Sequence, residues 1–155
     1  MNFRIRGLSP EPFRALYGLS ESALTERGVR RFAVTRKPGF PDRISMRDAE
    51  IGETALLLNH VTHEVATPYR TAYAIFVREG AEETFDAVGE VPPAMRARLL
   101  SLRGFAADGM LVDADVVEGR DAEGLIERLF SDERIAYIHA HNAKHGCYSG
   151  LIERV

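Results

Sequence analysis

Thiols are almost missing from this chain: of its 155 residues, only Cys147 is a cysteine. An internal disulfide is therefore excluded. A free thiol, with no apolar leader behind Met1 to Arg6, points to a reducing cytoplasm. Long apolar runs are missing too. The longest clean one, Ala72 to Val77, has six residues, far short of the ~20 a spanning helix needs, so no membrane segment is expected. Nor is there an excess of one charge. Twenty Lys and Arg stand against 23 Asp and Glu, a net −3, which makes no electrostatic case for nucleic acid or an anionic membrane. Repeats, low-complexity segments, Gly-rich phosphate loops, paired-cysteine zinc motifs and nucleophile elbows are absent as well.

What remains suits one domain over residues 1–155, long enough to bury one core. Phe3 and Ile5 alternate with Arg4 and Arg6 as a short first strand. Ser9 and Pro10 read as a helix start for Phe13, Leu16 and Tyr17. Ser20 opens a second short helix that Gly28 closes. Val29–Thr35, Arg43–Met46, Glu53–His60 and Thr71–Arg78 read as strands, with "KPGFPD" (Lys37 to Asp42) as a turn cluster. Pro92-Pro93 begins a helix carrying Met95 and Leu99 on one side. Asp108-Gly109 is a hairpin signal between Leu102–Ala107 and Met110–Val117. After Asp121 as N-cap, Ala122, Leu125, Ile126, Leu129 and Phe130 fall on one helical stripe. Ile135–His141 and Cys147–Glu153 are the last strands. Short turns rather than helical crossovers join most of them, which predicts an α+β fold with a mainly antiparallel sheet and three to four short helices.

Chemistry-bearing side chains concentrate in "YIHAHNAKHGCYSG" (Tyr137 to Gly150). In a strand Tyr137, His139 and His141 share a face. A hairpin turning through Ala143-Lys144-His145 would set His141 opposite Cys147 and His139 opposite Ser149, with Cβ atoms ~4.5–5.5 Å apart. An imidazole beside a thiol makes a nucleophile, with His141 as base. The same three groups, His139, His141 and Cys147, also suit a zinc-type site. A solvent-facing hairpin explains the pattern equally well.

In "PYRTAYAIFVRE" (Pro68 to Glu79), Ala72 and Ala74 form a hollow between Arg70 and Arg78, with Tyr69 adjacent. Guanidinium groups so placed suit a carboxylate or phosphate. Arg103 is expected opposite Ala114, with Phe105 opposite Val112, on a core face of Met110, Val112, Ala114 and Val116. There it must be paired or must serve a site. Asp113 and Asp115 share the other face, more as a solvated strand than as a cation site. Arg43 follows a Pro-rich turn where free amides could meet a ligand, and Asn142 flanks the histidine cluster. His60 and His63 point apart on a strand and read as structural.

Three blocks in order, "PGFPDRISMRDAEIGE", "PYRTAYAIFVREG" and "HNAKHGCYSGLIER", together with the length, resemble the bacterial family called domain of unknown function 1203. The resemblance spans essentially the whole chain and implies no activity, cofactor or catalytic residue. It departs at Asp42, where the family pattern has a cysteine next to Arg43, so a two-thiol reading fails here. The leading expectation is a small anionic ligand held by Arg43, Arg70, Arg78, Arg103, Tyr69 and Asn142, with His139, His141 and Cys147 supplying acid–base or nucleophilic groups. The alternatives are a divalent-metal protein through the last three, or a non-catalytic homodimeric module.

Overall fold

Two antiparallel sheets carry the fold in the computed structural model, which describes residues 2–155. The strands are β1 (Phe3–Arg6), β2 (Arg30–Ala33), β3 (Thr54–His63), β4 (Thr71–Arg78), β5 (Asp86–Val88), β6 (Leu99–Phe105), β7 (Leu111–Glu118), β8 (Tyr137–Asn142) and β9 (Tyr148–Arg154). The helices are α1 (Glu21–Glu26), α2 (Pro93–Arg96) and α3 (Ala122–Phe130). The larger sheet has the order β5-β1-β9-β8-β6-β7, and the smaller β2-β3-β4. This is the expected α+β class with mainly antiparallel pairing. Among the described residues no helix is long and apolar enough to cross a membrane.

Alternation in β8 decides the layering. Ile138 and Ala140 point to one face and are fully buried. There they join Leu100, Leu102 and Ile152 under the α3 stripe of Ala122, Ile126, Leu129 and Phe130. Each large apolar side chain buried in this way contributes about 1.5–3 kcal/mol. His139 and His141 point to the opposite face, toward the smaller sheet. His63 of β3 lies 4.8 Å from His139, and Tyr73 of β4 lies 5.1 Å from His141, between ring centroids. A second core of Phe13, Leu24, Ile44, Leu56, Ile75 and Val77 builds on the smaller sheet and also takes in Tyr148 from β9.

Several local expectations change. The Ser9 helix shrinks to a turn and a single 3₁₀ turn at Arg14–Leu16. The Pro92 helix is one turn, Pro93–Arg96, and Leu99 instead starts β6. Arg103 does pair with Ala114, but a register shift at Gly104/Phe105 sets Phe105 against Leu111 rather than Val112. The expected core face of β7 holds only at Val112, which packs against the core: Ala114 is exposed, and Met110 and Val116 are 43% and 53% exposed. Leu100, Leu102 and Gly104 face the core, so Arg103 between them faces away from it. Asp113 and Asp115 meet Arg128 of α3 at 3.0 and 3.1 Å, an ion-paired edge and not a cation site.

Arg43–Met46 is not a strand. The Asp42 carboxylate accepts hydrogen bonds from the Ile44 and Ser45 amides and from the Ser45 hydroxyl. Those amides are then lost to any ladder, and the chain turns. The turn is bonded on every side. Arg43 N donates to Phe76 O, Leu8 N to Arg43 O, Phe85 N to Ile44 O, and Ala94 N to Met46 O. Asp42 also accepts from Arg78 N at 2.8 Å.

Gly7 is what lets the turn approach β1 closely. A Cβ there would stand 2.1 Å from Ile44 O and 2.9 Å from Arg43 O, both backbone atoms that cannot swing aside. Gly7→Ala should therefore cost about 3 kcal/mol or more, read as a lower urea midpoint. Gly124 of α3 has open space around its Cβ position. Gly124→Ala should raise the midpoint, by about 1 kcal/mol. Equal midpoints for the two variants would refute the packing argument at Gly7.

Candidate functional site

The final hairpin turns through residues 143–145 as expected, but its register differs from the expected one. His139 pairs with Leu151 rather than Ser149, and His141 pairs with Tyr148 rather than Cys147. Between Ala140↔Gly150 and His141↔Tyr148 the second strand carries one extra residue, Ser149. This bulge separates the thiol from the imidazoles. His141 donates from Nδ1 to Gly146 O at 3.0 Å and makes no hydrogen bond to Cys147. His141 as the base toward Cys147 is thus corrected: the geometry provides no such pair.

Two distinct clusters result. The first lies between the sheets. His63 donates from Nδ1 to Tyr69 O at 2.8 Å, which leaves Nε2 to accept from the Tyr137 hydroxyl at 2.6 Å. His139 packs against His63, Phe105, Tyr137 and Tyr148. Burial, reinforced by His63, His141 and Arg103, pushes its pKa down to about 3. Burial also lowers His141, against the opposing pull of its bond to Gly146. Arg103 stands beside His139 across the β6–β8 pair, with its guanidinium carbon 5.7 Å from the centre of the Phe105 ring. The imidazoles here are buried and held among aromatic rings.

The second cluster surrounds Cys147, on the wall of a cleft of about 470 Å³. Leu57, Ala74 and Phe76 form the apolar side, and Arg36, Arg43, Arg98, Asn142 and His145 the polar side. Arg43 is only 3% exposed. It donates from Nε to Tyr148 O at 2.9 Å, from Nη1 to Pro41 O at 2.7 Å and from Nη2 to Cys147 Sγ at 3.1 Å. Burial pushes its pKa down, and the neighbouring Cys147 pulls it back up. Among the described residues no carboxylate lies within ion-pair distance of Arg43 or Arg36. Arg98 is engaged: its two Nη atoms meet Asp48 at 2.6 and 2.9 Å. Burial alone would raise Asp48, yet the Arg98 bonds and charge outweigh it and hold this carboxyl below its ordinary value. Asn142 is 4% exposed; its Nδ2 reaches Sγ at 3.5 Å, while its Oδ1 is buried without a donor.

Of the residues expected at a site, the fold brings Arg43, Asn142 and Cys147 together. Arg70 is half-exposed near Glu64, at 3.9 Å, and Arg78 pairs with Glu53 at 3.5 Å. Tyr69 lies against Phe105 at the other cluster. The hollow expected at Ala74 is present, but its guanidinium groups come from elsewhere. Sequence reasoning missed Arg36, Arg98 and His145 as cleft residues. Arg36 borders the Pro-rich turn and could have been flagged with Arg43. Nothing local marks Arg98, whose partner is fifty residues away. Among the described residues no three His, Cys, Asp or Glu side chains converge to hold a metal ion, so His139, His141 and Cys147 form no ligand set.

Comparison with known proteins gives one match. The family model described as "Protein of unknown function (DUF1203)" matches residues 39–154, a stretch that holds every polar cleft residue named above except Arg36. No curated protein and no solved structure matches the chain.

Proposed function

Since this chain belongs to the DUF1203 family, whose description names no ligand, we propose a function from the cleft itself: it binds a small anion between Arg36, Arg43 and the apolar wall of Ala74 and Phe76. The observation that supports this reading is Arg43. Its bonds go to two carbonyl oxygens and a sulfur, and Asp42 acts on it only from beyond ion-pair distance; a buried cation without a close carboxylate is held at a cost of several kcal/mol. An anion in the cleft supplies a close counter-charge. The apolar wall lowers the local dielectric and strengthens that attraction. Arg98, already bound to Asp48, shapes the rim more than it adds free charge.

Calorimetric titration with inorganic phosphate and with succinate tests this. One of them should bind saturably at millimolar concentration or below, and more weakly as salt is raised. Arg36→Ala, an exposed change away from the core, should weaken binding about tenfold, the effect of losing one charge-assisted hydrogen bond. Titrations flat for both anions, or unchanged by Arg36→Ala, would refute the reading.

A further inference from the structure

We propose that Cys147 is a nucleophile toward small oxo-carboxylates, a substrate class that rests on the anion-binding reading above. Three observations converge on its sulfur. Arg43 Nη2 lies 3.1 Å away and Asn142 Nδ2 lies 3.5 Å away. Both donors belong to side chains that are more than nine-tenths buried, so neither is free to leave. Two fixed donors hold the sulfur in place and meet negative charge as it develops there. Cys147 is only partly covered and lines the cleft, which gives an electrophile its route of approach. The imidazole that would ordinarily activate such a thiol is turned away, because His141 is bound to Gly146 O. The guanidinium of Arg43 takes its place.

The oxo-carboxylate class follows from the remaining groups. The exposed Arg36 guanidinium at the cleft takes the carboxylate. The sulfur's electron pair forms a bond to the carbonyl carbon, the π pair of the C=O bond moves onto oxygen, and that oxygen takes a proton from water. Nothing leaves and nothing is oxidised. The product is a hemithioketal or hemithioacetal with a new hydroxyl group. Asn142, whose Nδ2 reaches the sulfur, also carries a buried Oδ1 without a donor. An unmet buried acceptor favours a ligand that brings a donor, and a small turn of this amide on binding would let Oδ1 accept from the new hydroxyl.

Because the chain has a single cysteine, alkylation can be followed on the intact protein by mass spectrometry. Near neutral pH and at low salt, iodoacetate should modify Cys147 at least about tenfold faster than neutral iodoacetamide, since a basic cleft concentrates anions. Arg36→Ala should abolish that preference. Glyoxylate should protect against iodoacetamide more strongly than glycolate, which has the same carboxylate but no electrophilic carbon. If both reagents react no faster than with a cysteine in an unstructured peptide, Cys147 is not an activated nucleophile, even where the phosphate and succinate titrations succeed. A preference for iodoacetamide would overturn the anion reading itself. Equal protection by glyoxylate and glycolate would overturn the carbonyl assignment alone.

Discussion

Arg43→Met should lower the unfolding free energy by about 2–4 kcal/mol, read as a lower urea midpoint with an unchanged slope. Two effects oppose each other. Removing a buried charge relieves its desolvation, which is favourable. It also leaves the Tyr148 and Pro41 carbonyls, within a buried network, without their donor, at about 1–3 kcal/mol each. The bonds win, because two acceptors are stranded and the Cys147 contact is lost as well. Arg43→Lys keeps the charge but cannot aim three donors in a planar fork, so it should recover little. Arg36→Ala should leave stability within about 0.5 kcal/mol of the wild type, as surface changes do. A midpoint for Arg43→Met equal to or above that of the wild type would show that the guanidinium is held at a net cost.

His139→Phe should remove a steep loss of stability in mild acid. A histidine in the unfolded chain titrates near its ordinary 6.5, whereas folded His139 titrates at about 3. Above the higher value both states are neutral and the ring contributes its full stability. As pH falls through the window between the two values, the unfolded chain binds a proton that the folded chain refuses. The folded state then loses about 1.4 kcal/mol per pH unit. At pH ~4.5 the loss reaches about 2–3 kcal/mol. The groups facing the ring are His63, Arg103 and His141, with Tyr137 and Tyr148 beside it. None of these is a carboxylate that could welcome the proton. Denaturant midpoints measured from pH 7 down to pH ~4 should diverge between wild type and variant, with the variant flatter. Parallel curves would refute the assignment. Carboxylates held low by arginine, such as Glu79 and Asp48, lose stability in both proteins alike and so cancel.

The parts of the fold that were legible in the sequence are those set by local pattern. Thr71–Arg78 is a strand with the expected ends, and all five residues of the α3 stripe are buried. The three-residue turn after Asn142 and the shared face of His139 and His141 were also visible. Register was not. One unpaired residue at Ser149 moves Tyr148 opposite His141, and no propensity encodes that slip. The Arg43 turn was misread as a strand because Ile44 and Met46 alternate with polar neighbours. Asp42 three positions before Ser45 is the local signal that argues otherwise. The cleft was only half legible. Ala74 and Arg43 were singled out separately, but their meeting depends on contacts between distant segments, and so does the Arg98–Asp48 pair that shapes the rim.

Surface connections in proteins usually tolerate insertion and drift in length, since little depends on their backbone. The stretch from Asp42 to Met46 inverts that rule. It has no regular structure, yet β4, the segment after β1, the approach to β5 and the start of α2 all fasten to its backbone or to the Asp42 carboxylate. Its length is therefore as tightly fixed as that of any strand. One added residue would pull at least one of those four attachments out of reach.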